Sequence, residues 1–144
     1  MRVYLAGPFF DEKEHQDIEF ARDILRKKNI DIFVPMEHFI EDGENLPNDV
    51  WGKRVYEMDR DAIYDCDVLL AIYHGMYSDS GTAFEVGFAR ALNKKIIIAH
   101  SNYTGVASLM ITNSADCNIK LCDLEQFDFN NLNNNKLEFS VEQK

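Results

Sequence analysis

The sequence predicts a three-layer α/β sandwich with a five-stranded parallel sheet in the flavodoxin-like order 2-1-3-4-5. Two observations carry this. Short apolar runs alternate with longer stretches of helical periodicity, and the runs are apolar on both faces, as strands of a covered parallel sheet require. The size suits one domain, since 144 residues that are 46% hydrophobic can build a real core.

The strands expected are Val3–Ala6, Asp31–Val34, Val68–Tyr73, Lys95–Ala99 and Ile119–Cys122. Between the first two lies DEKEHQDIEFARDILRKK, which sets Ile18, Ala21, Ile24 and Leu25 on one face. Its acids gather at the start and its bases at the end, complementing the helix dipole. A second helix is expected from Asp49 to Tyr64, a third from Thr82 to Asn93, and a shorter one near Val106–Thr112. The catalytic domain is taken as residues 1–129, with residues 130–144, which include the Asn-rich NNLNNNK, as an irregular C-terminal tail.

Composition narrows the function. The net charge of −10 disfavours a nucleic-acid backbone as partner, because that recognition needs clustered Lys and Arg. No apolar run reaches the length of a membrane span, and the start MRVYLA has no signal-like pattern. Cys66, Cys117 and Cys122 are odd in number and form no CxxC pair, which fits a reduced cytoplasmic protein. The four histidines show no metal-ligand spacing, and neither a Walker loop nor GxGxxG follows the first strand. No metal and no cofactor are expected.

In a sheet of this order, ligands bind outside the carboxyl ends of the strands, where the strand order reverses. Three segments line that crevice: Tyr4–Phe10, the loop His74–Gly81, and the start of the third helix in DSGTAFEVG. Within it Glu85 has an ordinary reading, because Thr82-x-x-Glu85 has the form of a capping box. Asp79 lies in a common turn sequence, and Tyr4 reads equally as packing. Asp59 lies on or beside the apolar stripe Trp51, Val55, Met58, Ala62, so it is either structurally hydrogen-bonded or functional. If these acids converge, their pKa values move apart. Glu85, at a helix N-terminus, should stay ionised while a neighbour holds a proton. Such a pair suits cleavage of a glycosidic bond.

The motifs VYLAGPFF, YEMDRDAIYDCDVLLAIY and DSGTAFEVGFARALNKKIII, followed by SLMITNSADC and FDF, resemble nucleoside 2-deoxyribosyltransferases over residues 1–129. The resemblance implies deoxyribosyl transfer between purine or pyrimidine bases by double displacement. It implies Glu85 as nucleophile, Tyr4 as the group that orients it, and Asp59 and Asp79 as the acids that hold and protonate the departing base. Phe9 and Phe10 match an aromatic wall, and Gly7, Gly81, Ser108 and Met110 complete the substrate-binding set. A homodimer or homohexamer is implied, with sites completed by a neighbouring subunit. The partners are a deoxynucleoside and a free nucleobase, with no nucleic-acid polymer and no membrane. Ser108 departs from the family's usual asparagine and matches the related deoxynucleoside 5′-monophosphate N-glycosidases. Those enzymes place Ser and Arg after the first strand, where this chain has Gly7-Pro8-Phe9-Phe10. They also carry a serine where this chain has Asp79. A dianionic phosphate wants Arg or several donors, so the transferase expectation leads. A nucleoside-binding module without turnover is the third alternative, disfavoured by four converging site groups. In the loop Met36–Asn48, Glu37 and His38 are candidates for choosing the base.

Overall fold

The computed structural model describes residues 1–132 and 137. The sheet is five-stranded and parallel, with the predicted order β2-β1-β3-β4-β5. Its strands are β1 (Arg2–Ala6), β2 (Asp31–Phe33), β3 (Val68–Tyr73), β4 (Lys95–His100) and β5 (Cys117–Lys120). The helices are α1 (Glu12–Lys27), α2 (Asn48–Asp65), α3 (Ser80–Ala91) and α4 (Leu109–Ser114).

Alternation along the strands divides the core into two layers. Val3, Leu5, Leu70, Ile72, Ile97 and Ala99 face α1, where Ile18, Ala21, Ile24 and Leu25 meet them. Tyr4, Ala6, Leu69, Ala71, Tyr73, Ile96 and Ile98 face the other side, under Ala62 and Ile63 of α2 and Val86 and Ala89 of α3. The four-residue helical face predicted for α1 is thus the buried one. Asp11 caps that helix in a capping box with Glu14.

Three expectations shift. The last strand runs Cys117–Lys120, two residues earlier than expected, and Leu121–Gln126 forms a 3₁₀ turn. β5 is an edge strand that buries Cys117 and Ile119 while Lys120 faces out, so it alternates where a run apolar on both faces was sought. The short helix covers Leu109–Ser114 rather than Val106–Thr112. In α2 the stripe beginning at Trp51 sinks only at its far end, where Ala62 and Ile63 are buried and Trp51 is exposed. The chain beyond Phe129 still contributes, because Leu132 packs against the α1-side core. Most of the expected Asn-rich tail, residues 133–136 and 138–144, lies outside the described residues. Among the described residues, no helix is long and apolar enough to cross a membrane.

Gly7 follows β1 where the chain turns over the sheet edge. A Cβ there would come within 2.9 Å of Ile18 Cδ1 and 3.3 Å of Ile72 Cβ, so the close approach of α1 to β3 requires glycine.

Candidate active site

Tyr4 lies in β1 and is fully buried. Its side chain points to the α2/α3 side, and its hydroxyl donates to Glu85 Oε1 at 2.7 Å. Glu85 comes from the second turn of α3 and Asp59 from α2, which packs on α3. Both carboxylates act electrostatically on the Tyr4 phenol, and both Asp59 and Asp79 act on Glu85. The four residues predicted to form the chemistry are therefore near enough to act on one another's charge, with Tyr4 and Glu85 in direct contact.

The capping-box reading of Glu85 is corrected. The cap of α3 is Asp79, whose Oδ2 accepts from the Thr82 N–H at 2.8 Å and from the Thr82 hydroxyl at 3.0 Å. Thr82 is the third residue of α3, inside the helix rather than at its boundary. Glu85 is consequently too far along to reach the cap, and its carboxylate turns to Tyr4 instead. Gly81 keeps the cap open, because a Cβ there would sit 3.0 Å from Asp79 Oδ2.

The expected ionisation of Glu85 is also corrected. Burial pushes its carboxyl from 4.5 up to about 7; the Tyr4 hydrogen bond lowers it, while Asp59 and Asp79 add to the rise. Loss of water outweighs the favourable helix end. Asp59 is pushed up to about 6 by burial, and its Oδ1 has no hydrogen-bond partner among the described residues. Burial and the nearby Glu85 also drive the Tyr4 phenol far above its ordinary value, so it remains a donor.

The remaining predicted residues make no hydrogen bond or ring contact with the Tyr4–Glu85 pair among the described residues. Phe9 and Phe10 stack on each other at 6.2 Å, and Phe10 is 80% exposed. Ser108 precedes α4 without capping it, and Met110 projects outward. α4 packs on α3. Glu37 is committed elsewhere, accepting from Arg26 at 2.6 Å and Arg22 at 3.5 Å. His38 stacks on Phe33 at 4.2 Å, and Phe33 stacks on Tyr4 at 5.5 Å, so a column of rings runs from the site to the Met36–Asn48 loop.

Two features escaped the sequence reading. Tyr73 ends β3 on the same face as Tyr4, with Asp79 and Glu85 acting on its hydroxyl. The other is a clasp behind the site. Asp17 of α1 is buried; it receives Lys13, takes the Ser101 hydroxyl at 2.6 Å, and meets His74 Nε2 at 2.8 Å. Because His74 begins the loop that leads to Asp79, the clasp fixes that loop from the opposite face of the sheet. The signal for Tyr73 was its spacing, an even number of residues along β3 from Leu69, which pairs with Tyr4. For Asp17 no signal stood out, since it sits among the other charges of DEKEHQD.

A sequence model described as nucleoside 2-deoxyribosyltransferase matches residues 3–135. The chain belongs to that family. It is 30% identical over 138 residues to a nucleoside deoxyribosyltransferase of Lactobacillus johnsonii, across 88% of this chain and 92% of that one. It is 26% identical over 140 residues to a nucleoside deoxyribosyltransferase of Lactobacillus leichmannii, across 89% of each. Among solved structures, a 2-deoxyribosyltransferase from Bacillus psychrosaccharolyticus superimposes with a TM-score of 0.80 at 27% identity, across 98% of this chain and 100% of that one.

Proposed function

We propose that this family member transfers 2-deoxyribose between nucleobases, with Glu85 forming a covalent deoxyribosyl ester. The observation that carries the reading is the buried Tyr4–Glu85 pair flanked by two further carboxyls. Tyr4 holds Oε1 and leaves Oε2 to attack the anomeric carbon from the face opposite the base. The glycosidic C–N bond breaks as the ester C–O bond forms, and the departing nitrogen takes a proton from a neighbouring acid. Asp59, raised and with an oxygen unengaged, suits that donor role. Asp79 keeps Oδ2 on the helix cap and has Oδ1 to hold the base. An incoming base then attacks the same carbon, returns the proton to the acid it faces, and frees Glu85. Two inversions give net retention.

Electrostatics explain why four groups are needed. The reactive state has one proton on the acid pair, with Glu85 ionised and its neighbour protonated. Because burial raises Glu85 to about 7 and Asp59 to about 6, the resting proton sits mainly on Glu85, and the reactive state is the tautomer in which it has moved to the neighbouring acid. The singly protonated pair is most abundant between those two values. Exclusion of water from the ester decides between transfer and hydrolysis.

The exposed Leu109 and Met110, with Tyr56, Tyr64 and Phe84 on the outer side of α2 and α3, support a homo-oligomer. A neighbour seated there would close the site. The free thiols of Cys66, Cys117 and Cys122 are in keeping with a reducing cytoplasm.

Ser108 favours a second reading, hydrolysis of a deoxynucleoside 5′-monophosphate. Chromatography of thymidine with excess adenine, beside a Glu85→Gln control, separates the two. Deoxyadenosine formed only by the wild type is the expected result. Free base and sugar, or cleavage of the monophosphate alone, would establish the hydrolase.

A further inference from the structure

Tyr73 is 2% exposed, yet its hydroxyl has no hydrogen-bond partner among the described residues. A buried phenol without a partner is unfavourable, and phenylalanine would pack the same space without that penalty. The preceding residues of β3, VLLAI, are all apolar, so the one polar atom at the end of this central strand is conspicuous. Its backbone is fixed by the pairing of Tyr73 with His100 and by the Ser101 N–H, which donates to the Tyr73 carbonyl at 2.8 Å. The clasp on His74 anchors the next residue. The side chain is thus held on the face of the sheet that carries Tyr4, and no carboxylate oxygen of Glu85 or Asp79 lies within hydrogen-bond distance of its hydroxyl.

We propose that Tyr73 is a substrate-contacting residue, its hydroxyl donating to an acceptor atom, a carbonyl oxygen or ring nitrogen, of the bound nucleobase. Position decides this among the possible contacts. Tyr73 ends β3 on the face that carries Tyr4, at the carboxyl end of the sheet from which the chain runs on to Asp79 and Glu85, so it borders the gap between nucleophile and base-holding acid. At neutral pH the group is a donor, because burial and those two carboxylates push it up to about 12. The assignment rests on the transferase reading of this site.

The test is Tyr73→Phe in the full-length protein, with thymidine and free thymine as probes. Without ligand, the variant should unfold at the same temperature as the wild type or higher, since the lost hydroxyl had no partner. Its affinity for thymidine and for thymine should both fall by about tenfold, the worth of one neutral hydrogen bond. A lower unfolding temperature would give the hydroxyl a structural role and overturn the assignment. Unchanged affinity for both probes would overturn it, and weakening for thymidine alone would place the contact on the sugar. If the wild type bound neither probe, the transferase reading would fail along with it.

Discussion

Glu85→Gln should inactivate the enzyme and also stabilise it above neutral pH. The folded protein holds the Glu85 proton up to about pH 7, while the unfolded chain releases it near 4.5. Between those values the folded state binds more protons than the unfolded one, so stability falls as pH rises. Below 4.5 the carboxyl is neutral in both states and costs nothing. At about 1.4 kcal/mol per pH unit, the rise corresponds to roughly 3 kcal/mol lost by pH 8. Glutamine has the shape of the neutral acid and removes this loss. It adds an amide N–H₂ group without a new acceptor, which reduces the expected gain to about 2 kcal/mol. For a chain of this size that is roughly 5–8 °C in unfolding temperature. The assay is urea unfolding of both proteins from pH 4 to pH 8 at one protein concentration, because oligomers gain apparent stability by mass action. The stability difference should be small at pH 4 and widen to its full value at pH 8. Parallel curves would refute the reasoning, since Glu85 would then be as well solvated in the folded protein as out of it.

Two other substitutions probe the neighbours. Asp79→Ala should lose about 1 kcal/mol of stability by uncapping α3, whereas Asp79→Asn keeps an acceptor for Thr82 and should stay within about half of that; equal losses in thermal unfolding would argue against the cap. Asp59→Asn should shift the acid limb of the kcat/KM profile to lower pH, because the charge of Asp59 helps to raise Glu85. It should also slow transfer from natural nucleosides more than from substrates whose leaving group needs no proton. An unmoved limb, or equal slowing on both substrates, would remove Asp59 from the acid role.

The parts of the fold that were legible in the sequence are those where one requirement dominates. β1 and β3 are buried on both sides, so their residues read as continuous apolar runs and their neighbours in the sheet follow. β5 has one neighbour and one covered face, and its Cys-Asn-Ile-Lys alternation carries a weaker apolar signal than Ile-Lys-Leu-Cys, so the sequence points to a strand two residues later, at Ile119–Cys122. At α3, Asp79 and Thr82 are both plausible caps three residues apart. What decides between them is where the backbone leaves its extended form, which happens at Asp79, whose carboxylate then accepts from Thr82. The convergence of Tyr4, Asp59, Asp79 and Glu85 was legible once the strand order placed their segments side by side. The ionisation of Glu85 was not, because helix position is local while the loss of water is set by the whole surround. Tyr73 was passed over for the same reason: its missing partner is visible only in three dimensions.

The Asp17 clasp bears on how the chain reaches this state during synthesis. Its partners His74 and Ser101 lie 57 and 84 residues further along, so α1 emerges from the ribosome long before they do. In that interval only Lys13 is at hand, and burying Asp17 against an unfinished sheet would strand a carboxylate. Asp17 meets His74 as soon as β3 is complete and gains the Ser101 hydroxyl only after β4, so one carboxylate ties the α1 side of the core to the loop that leads to Asp79, and its last partner comes late in the chain.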